Sequence, residues 1–143
     1  MDVTLRGFAT QTYFADDVAA AVDWYTELLG TGPVFTRPGP GGRPSYAKFT
    51  IDRSTSLAIA ARAFAPPGMS HETGGAVGYW DVEDLDAVLD RLTAMGAKEY
   101  IPLTPHGPIV SAAVVDPFGN VVGLSAEGHP AADFRRGGPP PSA

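Results

Sequence analysis

The sequence predicts an α+β fold of two tandem β-α-β-β-β modules, and three observations carry that prediction. Two amphipathic helical segments occupy matching places in the two halves, β-branched stretches flank each of them, and the chain closes on a sharply defined hairpin. The hairpin is residues 114–124, V-V-D-P-F-G-N-V-V-G-L. Pro117 fixes φ at its first corner, and Gly119 and Asn120 tolerate positive φ at the second. Apolar pairs on either side make it a reversal between strands at 111–115 and 121–125.

The first module begins with residues 8–15 (F-A-T-Q-T-Y-F-A), short and rich in β-branched and aromatic side chains, which predicts a strand. Asp16 or Asp17 caps the helix that follows, because a short carboxylate accepts hydrogen bonds from the unpaired first-turn amides and suits their positive end. Val18, Val22, Tyr25 and Leu29 recur at the spacing of one helical face, and Gly30 ends the helix. A second strand begins at 34–36. Residues 37–45 (R-P-G-P-G-G-R-P-S) are too rich in proline and glycine for anything but a loop. Two further strands are expected at 46–52 and 56–61, around a turn at 52–54.

Residues 62–75, with two prolines and three glycines, read as the connection between modules. The pattern then restarts. A strand is expected at 76–82, and Asp84 caps a helix whose apolar face is Leu85, Val88, Leu89, Leu92 and Met95, closed by Gly96. Strands follow near 99–101, 109–115 and 121–125. Registering the caps gives 84 − 17 = 67, which carries Val18 to Leu85, Val22 to Leu89, Tyr25 to Leu92 and Leu28 to Met95. The two halves are an internal repeat. One helix per module covers one sheet face and leaves the other bare, so a curved mixed sheet forming a cup is expected.

With 143 residues and 44% hydrophobic content, the chain fits one compact domain. We place that domain at 1–126, with modules 8–61 and 76–126, and read 127–143 as a flexible tail in which Phe134, Arg135 and Arg136 offer a docking point to a neighbour. Zero cysteines exclude a disulfide scaffold, a thiolate zinc site and a cysteine nucleophile, and fit a reducing cytoplasm. No apolar run approaches the roughly 20 residues that span a bilayer, so no membrane partner is expected. A net charge of −6 disfavours nucleic acid and mildly favours a neutral or cationic partner. No serine elbow, H-E-x-x-H or phosphate-cradling loop is present, and no catalytic residue is assigned. His71 and His129 read as solvated loop histidines.

The paired modules, the stretches D-D-V-A-A-A-V-D-W-Y-T-E-L-L-G (16–30) and D-V-E-D-L-D-A-V-L-D-R-L-T-A-M-G (81–96), and the closing V-D-P-F-G-N-V-V-G-L together resemble the vicinal oxygen chelate superfamily. That superfamily includes glyoxalase I, extradiol dioxygenases, fosfomycin-resistance enzymes and bleomycin-resistance-type binding proteins. The resemblance covers residues 8–126 and implies the glyoxalase/bleomycin resistance fold. Its enzymes hold a divalent metal with His, Gln or Glu on four strands, and the matching places here are Thr10, Ala58, Val77 and Gly123. Apolar side chains offer no lone pairs to a metal, and Gln11, one residue away, is a single amide.

The resemblance is therefore to the metal-free branch, and no metal or cofactor is expected. It implies a groove that sequesters an aromatic or cationic antibiotic-like small molecule, in drug resistance or self-resistance, and a homodimer. If the ligand-equivalent positions face inward, strand alternation puts Thr10, Thr12 and Phe14 inside from the first strand, and Val77, Tyr79 and Asp81 from the fifth. Ala58 and Gly123 form a small-residue floor. Phe35 and Tyr46 close over the groove, and His106 stands at its mouth. Tyr13 and Trp80 point the other way, against the helices. The alternatives are a glyoxalase- or dioxygenase-like enzyme (lyase, isomerase or oxidoreductase), with a degenerate metal site or with His106 and Asp81 as acid-base groups, and a protein-interaction module.

Overall fold

The structure, a computed structural model, describes residues 3–133. The chain divides into two compact units, the first ending at His71 and the second beginning at Glu72. Each has the order strand, helix, three strands. In the first unit β1 (Thr10–Ala15), α1 (Val18–Leu29), β2 (Phe35–Pro38), β3 (Pro44–Thr50) and β4 (Ser56–Ala61) follow in turn. Its four-stranded sheet runs β1-β4-β3-β2, with β1 parallel to β4 and the other pairs antiparallel. In the second unit β5 (Tyr79–Asp81), α2 (Leu85–Ala94), β6 (Lys98–His106), β7 (Ile109–Val115) and β8 (Val121–Glu127) form a sheet of order β5-β8-β7-β6 with the same mix of directions.

The repeat extends to the helix caps. Asp17 and Asp84 are both extended N-caps whose carboxylates accept the amide three residues on, Ala20 N at 3.0 Å and Ala87 N at 3.1 Å. Val18 and Tyr25 are buried in α1, as are their repeat partners Leu85 and Leu92 in α2. Ala21, rather than Val22, completes the buried stripe of α1. Tyr13 of β1 stacks on Tyr25 with ring centroids 5.7 Å apart, which fixes the face of the first sheet that α1 covers. Ala15, Ala47, Phe49, Leu57 and Ile59 share that face and are buried. The matching row of the second sheet is Val110, Ala112, Val114, Val122, Leu124 and Ala126.

β5 is confined to Tyr79–Asp81, where a strand over 76–82 was expected, so Val77 lies outside it. Two further strands depart from the sequence reading. The loop after β2 is shorter than the nine residues expected, because Arg37 and Pro38 still pair with β3 across a register shift. β6 runs on to His106 through Pro102 and Pro105 instead of ending near 101, with irregularities after Glu99 and Ile101. Both are edge strands, where a missing N–H costs no ladder bond.

The described residues after 126 make contacts within the second unit. β8 includes Glu127, and beyond it the chain stays anchored. The His129 side chain is only 11% exposed, its Nε2 is 3.0 Å from the Asp86 carboxylate, and its Nδ1 accepts the Ala131 amide. With Nδ1 accepting, Nε2 carries the proton and donates to Asp86. The Asp133 amide adds a bond to the Gly107 carbonyl. Phe134, Arg135 and Arg136 lie outside the described residues.

The closing hairpin owes its shape to Asp116. This carboxylate is buried and accepts the amides of Phe118 and Asn120 at 2.9 and 2.8 Å as well as the Asn120 side-chain amide. Gly119, at φ 92°, takes the left-handed corner, and Asn120 does not. Asp116→Ala removes an acceptor from two turn amides and is expected to destabilise the fold by about 2 kcal/mol, read as a lower urea midpoint, with Asp116→Asn losing less.

Asp52 organises the β3–β4 turn in a similar way, its carboxylate accepting the amides of Ser54 and Thr55, and these bonds hold its carboxyl below the ordinary value. A folded-state pKa below the unfolded one gives stability that is present above the unfolded carboxylate pKa and lost as pH falls through the folded one. Acid titration of stability is therefore expected to be shallower in Asp52→Asn than in the wild type below about pH 4.

Candidate functional site

Because α1 covers one face of the first sheet, the residues that pair across its other face form the candidate site. Register places Thr10, Thr12 and Phe14 of β1, Ser56, Ala58 and Ala60 of β4, Tyr46, Lys48 and Thr50 of β3, and Phe35 and Arg37 of β2 on that face. Six residues expected from sequence to contact ligand are thus on one surface. They are not equally available.

A groove of about 640 Å³ lies on this surface, lined by Val34, Phe35, Arg37, Tyr46, Lys48, Thr50 and Ser56. Phe35 and Tyr46 meet edge to face with centroids 6.2 Å apart. The Arg37 guanidinium carbon stands 5.8 Å from both centroids, within the distance at which a ring face attracts a cation. Phe35 keeps 47% of its surface exposed. Neither Arg37 nor Lys48 has an acidic partner among the described residues, whereas Arg43 and Arg62 pair with Asp17 and Asp16. Two aromatic rings and two uncompensated cations therefore share one groove.

Thr10, Thr12 and Phe14 lie on the same face but do not line the groove. Ala58 was expected as floor, yet it has no accessible surface; a ligand has nothing of it to touch. Gly123 is corrected for a related reason. It pairs with Tyr79, and a Cβ built on it would stand 2.8 Å from the Tyr79 ring and 2.7 Å from the Gly78 carbonyl oxygen. The space its missing side chain leaves is already filled by Tyr79, whose ring is half exposed.

His106 ends β6, opposite Ile109. Its Nδ1 is buried with no hydrogen-bond partner among the described residues. Trp80 pairs with Leu124, placing it on the helix side as expected.

Sequence reasoning missed Arg37 and Lys48. A signal was present: Phe35 and Arg37, and Tyr46 and Lys48, are aromatic-cation pairs two residues apart, the period that puts both side chains on one face of a strand. Arg37 was hidden because its Pro-Gly context reads as loop.

The donor set does not fit a metal. Ala58, Val77 and Gly123 carry no donor atom, Thr10 is a lone hydroxyl, and among the described residues no group of three His, Cys, Asp or Glu stands together.

The chain belongs to the Glyoxalase/Bleomycin resistance protein/Dioxygenase superfamily, whose family model matches residues 7–124. Solved structures of similar fold include a glyoxalase-related enzyme from Fulvimarina pelagi, 20% identical with TM-score 0.67, covering 86% of this chain and 89% of that one. TioX from Micromonospora sp. ML1 is 20% identical with TM-score 0.63, covering 85% and 98%. Lactoylglutathione lyase from Agrobacterium tumefaciens is 21% identical with TM-score 0.61, covering 85% and 94%. At these identities the likeness is one of fold. No curated protein matches the chain significantly.

Gly123→Ala forces its new methyl against a backbone carbonyl, which cannot swing aside as a side chain can. It is expected to cost about 1–3 kcal/mol in urea unfolding and to shift the Tyr79 amide resonance, while Gly119-side turn resonances stay in place.

Proposed function

We propose that the chain binds a planar, negatively charged small molecule in the groove of the first sheet, through its own side chains and without a metal. The carrying observation is the placement of Arg37 between Phe35 and Tyr46, with Lys48 in the same groove and neither cation neutralised. A flat ring system gains by stacking against exposed aromatic faces, and an acidic group on it satisfies Arg37 and Lys48. Desolvating two unpaired cations without an anion is unfavourable, so the groove selects against a cationic ligand.

Of the expectation of an aromatic or cationic ligand, we therefore keep the aromatic part for this groove. Sequestration of an antibiotic-like molecule, as in drug resistance or self-resistance, is the biological role that fits a stacking groove without a catalytic constellation. The remaining parts of this reading are that the protein is a cytoplasmic homodimer and that residues 8–61 and 76–126 act as its two modules. Among the described residues no helix is long and apolar enough to cross a membrane.

The test is a titration of the purified protein with 2-naphthoate, followed by the fluorescence of the probe, with 2-naphthylamine as the uncharged comparison at neutral pH. Saturable binding of the carboxylate is expected, with an affinity loss of about tenfold in Arg37→Ala and a similar loss in Tyr46→Ala. Equal affinity for both probes, or an Arg37→Ala variant that binds like the wild type, contradicts the reading. Conversion of the probe, read by chromatography, would replace binder by enzyme.

A further inference from the structure

The chain that leaves β8 is held against the second unit at both ends of a short segment. At one end the His129 imidazole donates to the Asp86 carboxylate in the first turn of α2, 3.0 Å away. At the other the Asp133 amide donates to the Gly107 carbonyl in the β6–β7 turn at 2.9 Å. Between them the segment is folded on His129 itself, whose Nδ1 accepts the Ala131 amide at 3.0 Å and whose carbonyl accepts the Ala132 amide at 2.9 Å. His129 is the hub of this strap.

The two bonds of the imidazole respond in opposite ways to a proton. A backbone N–H can only donate, so Nδ1 presents a lone pair to Ala131 and the neutral ring carries its one proton on Nε2. A second proton puts an N–H on Nδ1, facing the Ala131 N–H across 3.0 Å. Two donors cannot share a hydrogen bond. With the side chain only 11% exposed, solvent does not separate them, and the backbone has to move. The Nε2 bond gains instead, because it becomes a charged pair with Asp86. The other charged groups around the ring are Glu83 and Asp84 before α2 and Glu127 of β8, which line one crevice of about 420 Å³ with Asp86, His129 and Pro130. No Lys or Arg lines that crevice, so the imidazolium is kept at Asp86 while Ala131 is let go. At the far anchor the titratable groups are Asp133 itself and His106, the neighbour of Gly107.

We propose that His129 makes residues 130–133 an acid-released strap. At neutral pH they lie against the second unit; when the imidazole takes its second proton they come away, and His129 stays on Asp86. Pro130 then leaves the wall of the crevice at the head of α2, and the Asp133 amide leaves the Gly107 carbonyl. One proton thereby opens the crevice and uncovers the β6–β7 turn without disturbing the paired strands. The device makes no use of the groove on the first sheet.

The experiment is amide hydrogen exchange of the full chain, read by NMR as protection relative to an unstructured peptide, at about pH 7.5 and about pH 5.5, on either side of ordinary imidazole titration. Protection of the Ala131 and Asp133 amides is expected to fall about tenfold at the lower pH, while β7 and β8 keep theirs. His129→Asn puts a carboxamide oxygen in place of Nδ1, an acceptor for the amide two residues on that does not titrate, and is expected to hold Ala131 at both pH values. In the wild type, the nitrogen chemical shifts of the imidazole are expected to place the neutral proton on Nε2, a reading that needs no variant to fold. The proposal is overturned by Ala131 and Asp133 protection that is the same at both pH values, by a His129→Asn variant that loses protection in acid as the wild type does, or by a neutral proton on Nδ1. A loss in acid that extends through β7 and β8 also overturns it, since that is unfolding of the unit and not release of a strap.

Discussion

Everything functional in this chain depends on a constraint of strand geometry: alternate side chains go to opposite faces, and each four-stranded sheet has one helix to cover one of them. The covered faces take Tyr13, Phe49, Ile59 and Leu57 in the first unit and Val110, Leu124 and Val122 in the second, and these are among the most buried side chains. The other faces are left to hold residues that a core does not need. Phe35, Arg37, Tyr46 and Lys48 stand on one, and Asp81, Ser111 and Ser125 on the other. A slip of one residue in any strand would exchange the two sets, so the caps and turns that fix register also protect the candidate site.

The two helix-free faces differ in charge although the units repeat one another in outline. Arg37 lies on β2, the edge strand whose counterpart β6 is irregular, and Lys48 on β3, whose counterpart β7 carries no cation. Duplicated scaffolds allow such divergence: the helix-facing rows must stay apolar for stability, while the opposite rows are free to change chemistry. The chain as a whole is acidic. That overall charge gave no indication of the local basic groove, since net charge bears on solubility and encounter more than on a pocket.

Much of the fold was legible because local signals agreed. Asp17 and Asp84 announced both helices, the 67-residue offset matched their buried faces, and the Asp116 turn marked the last hairpin. The parity of β1 was read by taking Thr10 as inward, and Tyr13 does stack against α1. What was not legible rested on tertiary context. Proline argues against a strand, yet β6 holds Pro102 and Pro105 because it is an edge. His129 looked like a solvated tail residue because its partner, Asp86, is 43 residues away. Ala58 and Gly123 were correctly read as small, but smallness does not say whether the vacated space is open or filled. In both cases the space is not available to a ligand.

The proposed binding is by organic side chains alone. In a superfamily whose members include metal enzymes, that claim comes from the identity of four residues, Thr10, Ala58, Val77 and Gly123, three of which have no donor atom. The most direct test is elemental analysis of the purified, dialysed protein, combined with native mass spectrometry so that metal, bound ligand and subunit number are read from one sample. Far less than one divalent ion per chain is expected. About one tightly held divalent ion per chain would rule out metal-free binding, and would require donors from residues that register now assigns to other roles.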